Sequence, residues 1–246
     1  MRIAVLSDIH GNALAFDAVL ADIQGESIDQ MVCLGDAVQG GSQPAETVAR
    51  LRGLGCPIVM GNADHWMLTG EESGAESAPS PWMLAMRQWS LGQLSEDDKA
   101  FIAAFVPTVE LDLPGTRTLL CFHGSPASFD DVIAPTTPDE EVRTILSPYL
   151  PAIMCGGHTH ALQIRHLGGS FYFNPGSIGF PFRHDDPGQS LRMIRSDPWA
   201  EYAVLTVDGD RISLDLRRVP IDLAALKDIV NASGMPEPEM ITGRYG

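Results

Sequence analysis

The stretch RIAVLSDIH, at residues 2–10, decides the fold class of this chain. Its apolar, β-branched run at residues 3–6 predicts a buried strand, and the polar residues Asp8 and His10 follow where that strand ends. Because open α/β sheets bind ligands at the carboxyl ends of their strands, polar residues at this place predict a site. Four further apolar runs, at residues 31–34, 58–60, 119–122 and 152–155, are followed in the same way by Gly35-Asp36, Gly61-Asn62-Ala63-Asp64, His123-Gly124 and Gly156-Gly157-His158-Thr159-His160.

The segments between the first three motifs predict a β-α-β-α-β beginning. Residues 12–23 have apolar positions at near-helical spacing, and residues 44–54 form a second predicted helix. Pro44 suits the first turn of this helix, and Ser42 is its predicted N-cap. This alternation predicts parallel strands with right-handed crossovers, and the strands are predicted at residues 2–7, 30–34 and 57–60.

The rest of the chain predicts a helical insertion, further strands and a tail. Residues 66–114 change to helical character between the third and fourth motifs, so we expect an insertion beside the site. Residues 128–150 predict a second loop and helix, and further strands are predicted at residues 162–167, 170–174, 201–207 and 211–219. The sequence therefore predicts one domain over residues 1–232, followed by a flexible C-terminal tail at 233–246 that contains Gly and Pro.

Charge and composition argue against two classes of partner. The 246 residues include 32 acidic and 16 basic side chains, which gives a formal net charge of −16. Tight binding to a nucleic-acid duplex or to an anionic membrane needs clustered Lys and Arg, so we expect neither partner. A small phosphorylated substrate is compatible with this charge if metal ions reverse its sign locally. The sequence leaves the formation of a homo-oligomer open.

The cysteines and the apolar runs predict the cellular location. Cys33, Cys56, Cys121 and Cys155 form no Cys-x-x-Cys pair, which is typical of small buried residues in a reducing compartment. No apolar run reaches the roughly 18 residues that a membrane span needs. Cleavage of a signal peptide would remove part of the predicted site. We therefore expect a cytoplasmic protein.

The polar residues of the five motifs form a ligand set for two divalent metal ions. Asp, His and Asn offer oxygen and nitrogen donors, for which we expect Mn²⁺, with Fe, Zn²⁺, Mg²⁺, Co²⁺ or Ni²⁺ as alternatives. Asp36 has two carboxylate oxygens and is the natural bridge between the ions, whereas Asn62 adds a neutral oxygen. The predicted metal ligands are Asp8, His10, Asp36, Asn62, His123, His158 and His160.

A charge count indicates the reaction. Two divalent ions outweigh the two carboxylates of Asp8 and Asp36 and leave a charge of about +2 for a hydroxide and a phosphate oxygen. Such ions, roughly 3.5–4 Å apart, lower the pKa of bound water and clamp an in-line phosphoryl displacement. The predicted chemistry is hydrolysis of a phosphoester by a metal-activated hydroxide.

The five motifs follow in the order Asp-x-His, Gly-Asp, Gly-Asn-x-Asp, His-Gly and Gly-His-x-His. This order resembles the calcineurin-like metallophosphoesterase superfamily from residue 3 to about residue 180. The Gly-Asn-Ala-Asp form and the segment Asn174-Pro175-Gly176-Ser177-Ile178-Gly179 are most similar to the branch with YfcE-type phosphodiesterases and diadenosine-tetraphosphatase-related proteins. The resemblance implies an α/β fold, a four-layer α-β-β-α sandwich with two mixed β-sheets. It also implies that Asp36 binds both metals, that Asp8, His10 and His160 bind one, and that Asn62, His123 and His158 bind the other.

The chain departs from this family at one position. Many members have a histidine directly after the motif asparagine, where it acts as a general acid for the leaving group, and here that residue is Ala63. His65 is the candidate to replace it, and the alternative is an ordinary surface or supporting histidine. Asp36 and His123 are the other predicted catalytic residues. Arg183 is predicted to contact a substrate phosphate, with an ordinary surface loop as the alternative.

Three functions are compatible with the sequence. The first is a binuclear metal-dependent phosphoesterase that hydrolyses small phosphodiesters or nucleotides. The second is a hydrolase of dinucleoside polyphosphates such as diadenosine tetraphosphate. The third is a catalytically weak metal-binding scaffold of the same fold. Loss of a ligand would mark the scaffold route, and this sequence keeps every predicted ligand.

Overall fold

A computed structural model describes residues 1–71, 79–115, 117–149, 153–182 and 195–245. Among these residues none of the helices has the length and apolar character needed to cross a membrane. Its helices and strands follow in this order: β1 (Arg2–Leu6), α1 (Ala13–Gln24), β2 (Gln30–Cys33), α2 (Pro44–Leu54), α3 (Asn62–Thr69), α4 (Pro81–Gly92), α5 (Glu96–Ala103), β3 (Val109–Leu113), β4 (Arg117–Cys121), α6 (Asp139–Leu146), β5 (Ile153–Cys155), β6 (Gln163–Leu167), β7 (Ser170–Asn174), β8 (Trp199–Asp208), β9 (Arg211–Pro220), α7 (Leu223–Ala232) and α8 (Glu239–Thr242).

Two mixed β-sheets form the centre of the fold. In the first sheet, of order β2-β1-β8-β9, the pair β1 and β2 is parallel and the other pairs are antiparallel. In the second, of order β3-β4-β5-β7-β6, strands β4, β5 and β7 run parallel and the two edge strands run antiparallel. Apolar side chains of both sheets share one buried core, which includes Ile3, Leu205, Leu119 and Phe173. The sheets therefore pack face to face.

Helices cover the outer face of each sheet. On the first sheet, Phe16 and Val19 of α1 share a buried core with Leu6 of β1. On the second, Val142 of α6 shares a core with Tyr172 of β7. The layers therefore follow the order α-β-β-α, and the predicted four-layer sandwich with two mixed sheets is confirmed.

The predicted boundaries of the helical insertion differ from the structure. Helix α3 already begins at Asn62, and the helical character ends with α5 at Ala103. Residues 109–113 form β3, which pairs antiparallel with β4 and belongs to the second sheet. Their pattern explains this: Val109 and Leu113 are buried whereas Glu110 and Asp112 are exposed, which is the alternation of a strand.

Two smaller predictions near the second helix are also wrong. Residues 57–60 make only isolated bridges, Cys33 with Ile58 and Val59 with Val106, in place of a regular strand. Gln43, not Ser42, occupies the N-cap position of α2 and makes no side-chain capping bond. Pro44 in the first turn contributes its fixed backbone geometry to the start of this helix.

The end of the chain is packed, in contrast to the expected flexible tail. Met235, Ile241 and Tyr245 are buried and share a core with Met86 of α4 and with Phe180. The glycine and prolines that suggested a tail end α7 and turn the chain, and Gly234 has a φ of 76° that favours glycine. The expectation failed because three apolar residues that follow this turn find partners on distant elements.

Candidate metal centre

Six of the seven predicted metal ligands follow the carboxyl ends of strands, and the seventh, Asn62, follows a bridge-forming segment. Asp8 and His10 follow β1, and Asp36 follows β2. Asn62 is the first residue of α3, after the bridge-forming segment at residues 58–60. The second sheet contributes His123 after β4, and His158 and His160 after β5.

The backbone is strained at five of these seven residues. Left-handed φ values occur at Asp8 (53°), His10 (50°), Asp36 (50°), His158 (68°) and His160 (54°). In the part of the chain that the structure describes, Glu237 is the only other residue besides glycine with this geometry. Each such residue costs about 1–2 kcal/mol, and strain of this kind concentrates at functional sites. The sharp turns aim side chains from separate loops at a common point.

One group of candidate ligands consists of Asp8, His10 and His160. Their ligand atoms lie within 4.8 Å of one another. Nε2 of His10 is 3.0 Å from Nε2 of His160, which is 3.2 Å from Oδ1 of Asp8. That carboxylate oxygen is buried and accepts no hydrogen bond from the described residues.

Asp36, His123 and His158 form a second group with the same spacing, within 4.8 Å. Asn62 belongs with it, since its Oδ1 is 2.8 Å from Nε2 of His123. Asp36 lies between the two groups: its Oδ1 is 3.5 Å from Nε2 of His123, and its Oδ2 is 3.5 Å from Nε2 of His10. The grouping is the one that the family resemblance implies.

The hydrogen bonds of three histidines show that the donor set fits a metal ion. Nδ1 donates to a backbone carbonyl in His10 (Gln39, 2.7 Å), His160 (Phe180, 2.6 Å) and His123 (Leu34, 2.8 Å). When a ring with this hydrogen bond is neutral, its Nε2 presents a lone pair. Nε2 of His10 and Nε2 of His160 face each other, so two neutral rings would set one lone pair against the other, and Nε2 of His123 faces the amide oxygen of Asn62. A cation bound between them relieves the repulsion, and such second hydrogen bonds are typical of metal-binding histidines.

The charges of the site favour the same conclusion. Burial lowers the pKa of His158 to about 4 and also lowers that of His10, so both imidazoles are neutral near pH 7, as metal binding requires. Burial acts on His123 too, but the carboxylates of Asp36 and Asp8 raise its pKa to about 9. Neighbouring histidines outweigh the burial of Asp8 and Asp36 and hold their pKa values below the usual range. The site thus contains ionised carboxylates that stabilise positive charge.

Residues outside the predicted ligand set hold the loop of Asp8 in place. Ser7 Oγ donates to Oδ2 of Asp8, and Ser177 Oγ donates to its backbone oxygen at 2.8 Å. Asn174 Nδ2 donates to the oxygen of Gly157 at 2.6 Å. A side chain at Gly157 would lie 2.7 Å from Oδ2 of Asp8, so the close approach of these two loops requires glycine.

His65 and Arg183 are the two other predicted site residues. The ring of His65 lies 5.8 Å from that of Phe129, and His65 is not among the residues that line the cavity beside the ligands. Helix α3 presents Ala63 and Trp66 to that cavity instead. Arg183 lies outside the described residues. A role for either in catalysis stays a prediction.

The cavity beside the ligands has a volume of about 200 Å³. His10, Asp36, Asn62, His158 and His160 form its polar wall. The other lining residues include Trp66, Trp82, Met86, Phe182 and Arg244, and we call this set the opposite wall. No sequence signal placed Arg244 here, because the residues around it suggested a tail.

A family model described as "Calcineurin-like phosphoesterase superfamily domain" matches residues 1–197. The chain belongs to this superfamily. The predicted family is thereby confirmed, and together with the two groups of ligand atoms it supports a metal-dependent phosphoesterase.

Solved structures of similar fold include two that are described as phosphoesterases. Protein PH1004 from Pyrococcus horikoshii aligns with a TM-score of 0.82 and 21% identity, covering 99% of this chain and 97% of that one. A metallophosphoesterase from Sphaerobacter thermophilus aligns with a TM-score of 0.71 and 24% identity, over 98% and 97% of the chains. The phosphoesterase Yfce from E. coli aligns with a TM-score of 0.50 and 21% identity, over 90% and 100%. At these identities the likeness concerns the fold.

One curated relative is similar in sequence over a short region. Protein MJ0912 from Methanocaldococcus jannaschii is 49% identical over 71 residues. The match spans 29% of this calcineurin-like chain and 29% of that protein.

Proposed function

We propose that this chain is a binuclear metal-dependent phosphoesterase that hydrolyses small phosphodiesters or nucleotides. The supporting observation is the pair of ligand groups with Asp36 between them, beside an open cavity. Two divalent ions held there would lower the pKa of water and neutralise phosphate charge. We expect Mn²⁺, with Fe, Zn²⁺, Mg²⁺, Co²⁺ or Ni²⁺ as alternatives.

In this proposal each ligand has a defined role. Asp8, His10 and His160 would hold one ion, and Asn62, His123 and His158 would hold the other, with Asp36 shared. The backbone carbonyls that accept from Nδ1 of His10, His123 and His160 fix the orientation of these rings. The neutral imidazoles of His10 and His158 bind without competition from protons near pH 7.

Ala63 limits the range of substrates. It is 5% exposed, lines the cavity, and donates its backbone N–H to Oδ1 of Asp36 at 2.8 Å, so it orients the shared carboxylate. Its methyl group cannot donate a proton to a leaving group. We therefore propose that esters with good leaving groups are hydrolysed faster than alkyl esters, because they leave without protonation.

The cysteines support the proposed cytoplasmic location. Cys33, Cys56, Cys121 and Cys155 are all free. Cys121 and Cys155 are paired in register on β4 and β5, both buried, and remain thiols. Free thiols at such short range suit a reducing compartment.

Hydrolysis of bis(p-nitrophenyl) phosphate with added Mn²⁺ tests the proposal. We expect activity in the wild-type chain and its loss in Asp36→Asn and His123→Ala. The control is His166→Ala, which changes an exposed histidine of β6 that is not among the candidate ligands. Absence of activity with every metal would favour the scaffold function instead, and equal activity in all variants would contradict the proposed roles of Asp36 and His123.

A further inference from the structure

The opposite wall of the cavity differs from the polar wall that the candidate ligands form. Trp66, Trp82, Met86 and Phe182 make this wall largely apolar, and Arg244 is its charged member. Pockets for drug-sized ligands measure about 300–1,000 Å³. The volume of about 200 Å³ therefore suits a single ring system, with the rest of a larger ligand outside.

Arg244 is held in a fixed place at this wall. It is 6% exposed, and its Nε donates to the backbone oxygen of Met240 at 3.1 Å. The guanidinium carbon lies 4.9 Å from the centre of the Phe180 ring. That ring lies 5.6 Å from the ring of His10. A single aromatic ring thus separates the guanidinium from the candidate metal ligands.

The charge of Arg244 has no acidic partner among the described residues. Its contacts there are the carbonyl of Met240, the Phe180 ring and the neighbouring Tyr245. Burial lowers the pKa of Arg244, although arginine stays charged in proteins. A buried charge without a counter-charge is costly, and this chain has twice as many acidic as basic residues from which to supply one. An unpaired arginine beside a cavity therefore indicates an anionic ligand.

The aromatic side chains indicate the other part of that ligand. Trp66 and Trp82 line the cavity, and Phe182 stacks on His160 with ring centres 4.2 Å apart. Flat aromatic rings pack well against such side chains. The forked guanidinium group of arginine matches the oxygens of a phosphate.

We propose that this cavity binds the organic group of the substrate, that this group carries an aromatic ring and a second phosphate, and that Arg244 binds that phosphate. The proposal rests on the proposed function, because the reacting phosphate is placed at the metal ligands. It makes Arg244 a specificity-determining residue for nucleotides with more than one phosphate. Arg244 lies beyond residues 1–197, the part of the chain that matches the family model.

Binding to the metal-free protein tests the role of Arg244 without catalysis. Tryptophan fluorescence of EDTA-treated protein is titrated with adenosine 5′-monophosphate and with adenosine. We expect the monophosphate to bind at least about 10-fold more tightly than adenosine, because one hydrogen bond to a charged group changes affinity by about this factor. Arg244→Met should abolish this preference, and Arg244→Lys should reduce it. Arg143→Met, which removes an exposed positive charge on α6, should preserve it.

Hydrolysis by the Mn²⁺-loaded protein separates this proposal from the proposed function. We expect Arg244→Met to reduce kcat/KM for diadenosine tetraphosphate at least about 10-fold more than for bis(p-nitrophenyl) phosphate. If thermal melting shows that Arg244→Met is unfolded, Arg244→Lys is compared in both assays and should show a smaller loss in the same direction.

Each negative result has a distinct meaning. Hydrolysis of both esters, with the same ratio and the same nucleotide preference in wild type and Arg244 variants, would overturn this proposal and leave the proposed function standing. A preference for the monophosphate that depends on Arg244, in a protein without hydrolase activity, would support the binding site and contradict the proposed function.

Discussion

The two walls of the cavity are built in opposite ways. The ligand wall consists of residues in turns or at a helix start, each within a few positions of an apolar run. The opposite wall combines Trp82 and Met86 of α4 with Arg244, more than 150 residues further along the chain. The first depends on local turns and the second on packing between distant helices. We infer that chemistry is fixed in one wall while the other determines selectivity.

The two walls also differ in backbone strain. Five candidate ligands have left-handed φ values, whereas none of the described side chains of the opposite wall does. Strain of this kind persists only where surrounding contacts over-determine the geometry. The contacts around Asp8 from Ser7, Ser177 and the N–H of His158 provide that constraint.

Substitution of the shared carboxylate should have the largest effect and tests whether the ligand wall acts as one unit. Asp36→Asn keeps the size of the side chain but removes a charge that lies between the two groups. We expect a loss of at least about 100-fold in kcat/KM, since even supporting residues of metal sites cost 10–100-fold. Steady-state kinetics measure it. Asp215→Asn on β9, an exposed carboxylate, is the control.

Removal of a supporting hydrogen bond should have an intermediate effect. Asn174→Ala deletes the donor to Gly157 and to Thr159 Oγ1, which lie in the loop of His158 and His160. We expect Mn²⁺ affinity to fall by roughly 10-fold because the loop loses part of its constraint. Metal titration by calorimetry measures it, and Asn231→Ala on α7 is the exposed control. Unchanged affinity would contradict a supporting role.

Shortening a buried side chain of the C-terminal segment tests whether this segment, which carries Arg244 of the opposite wall, is packed. Ile241 is 1% exposed, so Ile241→Ala should lower the free energy of unfolding by about 2–5 kcal/mol. Urea denaturation measures the change. Val132→Ala removes the same kind of side chain where it is 55% exposed and should cost far less. Equal effects would mean that the segment is not packed in solution.

Metal binding should also stabilise the ligand wall. At a free metal concentration of 100 times the dissociation constant, the gain is about 2.7 kcal/mol. For a chain of this size, that corresponds to a rise in Tm of roughly 5–10 °C. Differential scanning calorimetry with Mn²⁺ and with EDTA measures it. A rise of equal size in Asp36→Asn would show that the metal acts elsewhere.

The contrast between the walls also explains what could be predicted from the sequence. Asp8, Asp36 and His123 were recognisable because the fold brings the ends of neighbouring parallel strands to one edge, so local motifs suffice. The four-layer architecture followed from the resemblance that those motifs carry. No local pattern predicts the contact between Asn174 and Gly157. A polar residue at the end of a buried strand is nevertheless a signal that could have indicated a supporting role.

The missed features depend on contacts between distant parts of the chain. The sequence pattern places residues 109–113 in the helical insertion, because their alternation is short and their partner β4 comes later in the chain. Residues 233–245 contain apolar side chains whose burial needs α4 and Phe180. Arg244 lines the cavity because of that packing, so its proposed role could not be predicted from the sequence.

The most direct test of the central claim is the metal content of the folded chain. The protein is stripped with EDTA, loaded with Mn²⁺, separated from free metal by gel filtration and measured by elemental analysis. The account predicts two equivalents per chain in the wild type and fewer in Asp36→Asn, because that residue is shared. One equivalent or none in the wild type, or two in both proteins, would contradict it.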